Sequence, residues 1–294
     1  MVSITPHLWF DRNGAEAAHF YAGLIPESHF DAPQVIQDTP SGDVEVFSVD
    51  LAGLGFVFLS APRPFALTPA VSFLLTCPTV AEVDRITAGL AEAGSFLMPL
   101  GSYPFSGRYA WVVDRFGVSW QVMLTDVHST VAGITPTLMF VGDQCGHAEE
   151  AVGAYVGLFP ESRLGAVDRY DEHQPPDRPG TVRHLGFQLS GQSFAAMDSA
   201  HDHRFTFTEA ISFLVTTEDQ TETDSYWEAL SADPSAEACG WLKDRWGVSW
   251  QIVPRALGRL MSSGDPAVVR AVTRAFLKMK KLNIAELEAA ARSV

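Results

Sequence analysis

The sequence predicts an α+β fold made by internal duplication, and three observations predict it. Trp111-Val-Val-Asp114-Arg-Phe-Gly117-Val-Ser-Trp120-Gln121-Val returns 130 residues later as Trp241-Leu-Lys-Asp244-Arg-Trp-Gly247-Val-Ser-Trp250-Gln251-Ile. Ile4-Thr-Pro-His7-Leu-Trp9-Phe10 returns as Ile134-Thr-Pro136-Thr-Leu-Met139-Phe140, and Ala70-Val-Ser72-Phe-Leu-Leu-Thr76 as Ala210-Ile-Ser212-Phe-Leu-Val-Thr216. Between these strand-like stretches stand helix-opening signals of the Asn/Thr/Asp-x-x-Glu type.

The elements follow in order. Residues 4–10 read as a strand with Ile4, Pro6, Leu8 and Phe10 on one face and Thr5, His7 and Trp9 on the other. Pro6 lacks a donor, which predicts an edge strand or an unpaired position. Asn13-Gly-Ala-Glu16 opens a helix through Phe20, Tyr21 and Leu24, ended by Gly23 and Pro26. Strands are expected at 44–51 and 55–59, then a linker at Pro62-Arg63-Pro64. After the strand at 70–76, Thr79-Val-Ala-Glu82 caps a second helix carrying Val83, Ile86 and Leu90, and residues 101–107 read as a loop. In the hairpin, Asp-Arg-Phe/Trp-Gly suits a type I turn closed by a glycine at positive φ. Asp114 and Asp244 are therefore expected to form turns rather than to act as catalytic acids.

The second half repeats this order. Leu158-Phe-Pro160-Glu-Ser162 matches Leu24-Ile-Pro26-Glu-Ser28, with four extra residues near 142–147. Asp219-Gln-Thr-Glu222 is a further capping box, and residues 173–179 form a proline-rich loop. From Pro266 to Ala291 an apolar stripe of Val268, Val272, Phe276, Leu282, Ile284 and Leu287 predicts two helices. The expected domains are 1–128 and 132–256, followed by a helical extension at 257–294.

Composition limits the function. With 47% hydrophobic and 19% charged residues the chain can build packed cores. A formal net charge of −15 argues against nucleic acid and anionic membrane surfaces, which require a basic footprint. Cys77, Cys145 and Cys239 share no metal-ligand spacing and form no even set, which fits a reducing cytoplasm. No signal-peptide pattern opens the chain, and no apolar run reaches the roughly 18 residues of a membrane span. His201-Asp-His203, His184 and the group Asp168, Asp171 and Glu172 read as exposed or structural polar residues rather than metal ligands.

The Ile-Thr-Pro-x-Leu-x-Phe opening, Gly-Leu-x-Pro-Glu-Ser, the Ser-Phe-Leu strand and Trp-x-x-Asp-Arg-x-Gly-Val-Ser-Trp-Gln resemble the PhnB-like branch of the vicinal-oxygen-chelate superfamily. Glyoxalase I, extradiol dioxygenases and bleomycin-resistance proteins also belong there. The resemblance covers about 3–127 and 133–254. It implies two tandem domains, each of two paired βαβββ units whose curved sheets form a cup. In metal-using relatives the ligands are His and Glu residues inside that cup. The matching positions here are Thr5, Phe58, Ser72 and Gln121, then Thr135, Ala196, Ser212 and Gln251. None is a His or a carboxylate, a donor set that binds divalent transition metals poorly. No metal and no other cofactor is therefore expected, and metal-dependent glyoxalase or dioxygenase chemistry is disfavoured. Some relatives carry a ubiquinone-methyltransferase name, yet no glycine-rich strand-to-helix turn that would hold a methyl donor is present.

Three functional readings follow. The first is a metal-free cup binding a small, partly aromatic molecule, lined by Thr5, His7, Trp9, Ser72, Arg108 and Gln121 in one repeat and by Thr135, Thr137, Met139, Ser212 and Gln251 in the other. The second is an enzyme acting on a small carbonyl or aromatic compound with His7 as general base, the other cup having degenerated to Thr137. The third is a structural module whose cups are filled by side chains and whose tail serves assembly. The expected partners are a small molecule and a second copy of the chain in a homodimer.

Overall fold

In a computed structural model, which describes residues 2–62, 64–125 and 132–294, the chain forms four successive strand-helix-strand units and a helical tail. Arg63 and residues 126–128, which close the expected first domain, lie outside the described residues. The first unit is β1 (Ser3–Asp11), α1 (Gly14–Leu24), β2 (His29–Phe30), β3 (Gln34–Thr39), β4 (Gly42–Leu51) and β5 (Leu54–Ala61). The second is β6 (Val71–Cys77), α2 (Val80–Ala91), β7 (Ser95–Tyr103), β8 (Ser106–Val113) and β9 (Ser119–Leu124). The third is β10 (Gly133–Val141), α3 (Ala148–Leu158), β11 (Arg163–Arg169), β12 (Val182–Leu189) and β13 (Gln192–Ser199). The fourth is β14 (Ile211–Thr217), α4 (Gln220–Leu230), β15 (Trp241–Lys243) and β16 (Ser249–Pro254). The two helices expected from Pro266 onward are present as α6 (Pro266–Phe276) and α7 (Ile284–Arg292), preceded by a further helix, α5 (Arg255–Met261).

The two repeats and the two sheets do not coincide. One eight-stranded sheet runs β15-β16-β14-β1-β5-β4, with β2 and β3 both on β4, and so joins the first unit to the fourth. The other runs β11-β12-β13-β10-β6-β9-β8-β7 and joins the third to the second. The seams are antiparallel: His7 lies across from Ser212 on β14, and Thr137 across from Ser72 on β6. Grouping the cup residues repeat by repeat is thereby corrected.

Alternation decides which face each residue serves. Leu8, Phe10, Phe58, Phe73, Trp120, Phe140, Phe213 and Trp250 are buried in the core beneath the helices. Residues out of step with them face the concavity. β1 is an interior strand, which answers the question posed by Pro6. Trp9 donates to Ala210 O, so alternate residues turn their N–H toward β14 and Pro6 turns away from it. On that other side, pairing with β5 begins only at His7. No ladder bond is lost.

Local signals fared unevenly. Thr79 accepts from Glu82 N and Asp219 from Glu222 N, as capping boxes require. Asn13 makes no such bond. The segment expected to be a loop at 101–107 lies in β7 and β8, interrupted only by Pro104-Phe105.

Candidate ligand-binding cups

The signature hairpins carry more than a turn. Asp114 is 4% exposed, and its Oδ1 accepts from the Phe116 and Val118 N–H groups at 2.9 and 3.0 Å. Its Oδ2 accepts from Trp120 Nε1 at 3.0 Å and from the Tyr21 hydroxyl at 2.5 Å. Asp244 repeats the set with Trp246, Val248, Trp250 and Tyr155. Burial pushes both carboxyls up from their ordinary value while the donors pull them back. All four acceptor directions are taken, so neither group is free for chemistry.

The first cup lies on the concave face where β1, β5, β14, β15 and β16 meet. Its floor holds Thr5, His7, Ser212 and Gln251, and Gln251 Nε2 donates to Ser212 Oγ at 2.9 Å. His7 is 5% exposed, its Nδ1 is buried with no hydrogen-bond partner among the described residues, and Trp241 stands edge-on to it with centroids 5.2 Å apart. Trp9 packs against Trp241 and Phe65. Burial lowers the His7 pKa from 6.5 to about 4, with its own main chain pulling weakly the other way. The imidazole is neutral at pH 7.

The second cup is formed by β6, β8, β9, β10 and β13. Thr137, Ser72 and Gln121 are buried on its floor beside Met139 and Thr135. A continuous polar line crosses it: the Tyr109 hydroxyl donates to Gln121 Oε1 at 2.7 Å, and Gln121 Nε2 donates to Ser72 Oγ at 2.9 Å. Burial raises the Tyr109 phenol above its ordinary value. At its rim Tyr103 stacks on Phe105, Phe105 meets Tyr109 edge-on, and Phe105 is 55% exposed. The opposite wall is small or flexible, with Ala195 across from Thr137 and Met197 across from Met139.

His7 in the place of Thr137 is one difference between the cups. Trp111 donates to Ser119 Oγ at 2.8 Å in the second, whereas its counterpart Trp241 turns its ring to His7 and Ser249 Oγ is left unpartnered. An imidazole in place of the Thr137 hydroxyl gives the indole a ring to pack on.

Of the residues expected to line a site, Thr5, His7, Trp9, Ser212 and Gln251 come together in one cup, and Ser72, Gln121, Thr135, Thr137 and Met139 in the other. Arg108 belongs to neither: it shares the helix face with Ala110 and Val112, and its Nε meets Asp84 of α2 at 2.6 Å. Phe58 and Ala196 also lie on the core side, so Val57 and Leu59, or Ala195 and Met197, face the cups instead. Tyr109 and Trp241 escaped sequence reasoning as cup residues, although Tyr109 stands two residues before Trp111 on the same face of its strand and Trp241 is the counterpart of Trp111. His203 bonds Ser199, and His201 approaches Asp177.

A family model described as 3-demethylubiquinone-9 3-methyltransferase matches residues 2–123 and again 132–253. The chain belongs to this PhnB-like family, in two tandem copies. Among solved structures, the PhnB protein from Bacillus cereus is 34% identical over 41% of this chain and 98% of its own, with a TM-score of 0.37. Protein PA1353 from Pseudomonas aeruginosa is 26% identical over 40% and 93%, TM-score 0.35. The E144Q mutant of glyoxalase I from Zea mays is 10% identical over 86% of this chain and 94% of its own, TM-score 0.53, a likeness of fold alone. No curated protein matches the chain. The resemblance to the vicinal-oxygen-chelate superfamily drawn from the sequence motifs implies an ion in the cup of its metal-using members. The residues present do not fit one. The first floor offers one imidazole with two hydroxyls and an amide, the second only hydroxyls and an amide already engaged on both its atoms. Among the described residues no three His, Cys, Asp or Glu side chains are grouped for a metal, and no helix is long and apolar enough to cross a membrane.

Proposed function

We propose that this PhnB-like chain binds a small, partly aromatic molecule in its second cup. The observation that carries the reading is the Tyr109–Gln121–Ser72 hydrogen-bond line at the foot of the exposed Tyr103–Phe105 stack. An apolar rim with a few placed polar groups is how small-molecule sites are built. A ring would lie against Phe105 and Met139, and its hydroxyl or carbonyl would exchange hydrogen bonds with Thr137 and Ser72. The hydroxyl of Ser72 accepts from Gln121 and keeps its own proton to donate.

His7 gains no catalytic role in this reading. Its neutral imidazole is the basic form, but among the described residues no carboxylate bonds it, and Trp241 stands against it. Nor is methyl transfer assigned, because Asp11-Arg12-Asn13-Gly14 between β1 and α1 is no glycine-rich turn. Untargeted mass spectrometry of compounds that co-purify with the protein tests the proposal, followed by titration of the compound into Phe105→Ala. A ring-bearing compound bound at least tenfold more weakly by the variant supports it; unchanged affinity sinks it.

A further inference from the structure

We propose that α5–α7 form an intramolecular plug over the His7 cup, so that the chain keeps a single open cup, the one floored by Ser72 and Gln121. The proposal rests on where the tail touches the sheet. β15 and β3 stand at opposite ends of the β15-β16-β14-β1-β5-β4 order, β3 being paired outside β4. Six strand spacings of about 4.8 Å would separate them by roughly 29 Å if the sheet were flat. The tail holds both ends at once.

At the β3 end, Gln34 Nε2 donates to Met261 O at 2.9 Å, and Ile36 packs on the cluster of Met261, Val272 and Leu287. At the β15 end, Cys239 N donates to Met279 O at 2.7 Å and Gly240 N to Lys280 O at 2.8 Å. Leu282 is fully buried there, packed so closely on Gly240 that an added Cβ would lie 3.2 Å from its Cδ1. Thr273, beside Gln34 and Gln37, is separated from Met279 by a stretch that spans at most about 20 Å. The sheet therefore curls until its two rims approach, and the tail lies across the gap.

Register gives the face on which Gln34 and Ile36 meet the tail. Gln34 lies across from Val46, Val46 from Leu59, and Leu59 beside Trp9. Side chains at matched positions share a face, so Gln34 and Ile36 look into the same concavity as His7 and Trp9. The fourth unit has also given up wall: β15 has 3 residues where β8 has 8, and the carbonyls of Met279 and Lys280 take the N–H groups that a longer strand pair would have used. In the other sheet the rim strand β11 is exposed along its whole length, and Phe105 at the β7–β8 corner is open to solvent.

The experiment uses the full-length chain. Hydrogen exchange is expected to find the Cys239 and Gly240 amides at least a hundredfold slower than those of residues 201–204; exchange at the loop's rate overturns the proposal. Leu282→Asp places a charge against Gly240 and is expected to free the tail, raising proteolysis at Lys278–Lys281 at least tenfold. Titrated with 4-fluorophenol and followed by fluorine NMR, this variant is expected to show one binding site more than the parent, and that site is expected to disappear when Trp241→Ala is added. A freed tail with no added site overturns the plug. A parent without any site overturns the proposed function instead, and leaves the exchange result to decide the plug even where Leu282→Asp does not fold.

Discussion

The Tyr21 hydroxyl donates to Asp114 Oδ2 at 2.5 Å, and so ties a helix resting on one sheet to a hairpin belonging to the other. Tyr155 and Asp244 make the same tie at 2.6 Å in the second repeat. Strand pairing joins units of different repeats; these carboxylates join units of the same repeat.

Removing either carboxylate strands two backbone N–H groups, an indole and a phenol in the core. Asp114→Ala and Asp244→Ala are each expected to cost about 3–5 kcal/mol, since each buried donor left unmade costs about 1–3 kcal/mol before relaxation. Urea unfolding measures it. Tyr21→Phe, which removes one donor only, is expected to cost about 1–2 kcal/mol. A loss under 1 kcal/mol in the alanine variants would show that the hub is not a structural tie.

His7 makes stability depend on pH. Its pKa falls from 6.5 in the unfolded chain to about 4 when buried, so between those values the unfolded state binds the extra proton. Its contribution is therefore complete above pH 6.5 and is lost as pH falls toward 4, by about 3 kcal/mol over the window. The His7→Thr variant, which copies the other cup, is expected to flatten this part of the stability curve measured by urea titration. An unchanged slope would rule out His7 as its source.

Gln121 and Gln251 are expected to separate binding from folding. Gln121→Leu breaks the line from Tyr109 to Ser72 and is expected to weaken 4-fluorophenol binding at least tenfold, about 1.4 kcal/mol. Gln251→Leu breaks only the bond to Ser212 in the covered cup and is expected to leave that affinity unchanged. Calorimetric titration of both variants reads the difference, and equal losses would refute the assignment of the site to the second cup.

Two glycines are expected to respond in opposite directions. A Cβ on Gly94 would meet Val113 O at 2.6 Å and Leu90 O at 2.8 Å, backbone atoms that cannot step aside, and Gly94→Ala is expected to cost about 1–3 kcal/mol. Gly153, inside α3, faces nothing within 4 Å, and Gly153→Ala is expected to add about 0.5–1 kcal/mol through helix propensity. Thermal melts of the two variants test the pair.

The duplication and the four units were legible because strands such as 4–10 and 119–124 alternate strongly and the repeats share their spelling. β2 and β3 were not, since His29–Phe30 is two residues long and Gln34–Thr39 is polar and mostly exposed. β7 was hidden by Pro99 and Gly101, residues that punctuate loops elsewhere, and its pairing with β8 is indeed irregular around Met98–Tyr103. Arg108 was misplaced because the alternation of β8 only becomes clear from Ala110 and Val112 onward. That His7 would face Ser212 rather than Ser72 could not be read locally, because Ser72 and Ser212 sit in nearly identical strands. The choice of partner is made by long-range packing.

The crossing of repeats between sheets has an ancestral corollary. A chain of half this length would own two half-bowls and no whole one, with β1 and β6 left as raw seams awaiting complementary strands from another molecule. Covalent fusion makes that encounter permanent at fixed stoichiometry, and it releases the two bowls from having to stay identical. One could then exchange a hydroxyl for an imidazole without altering its twin.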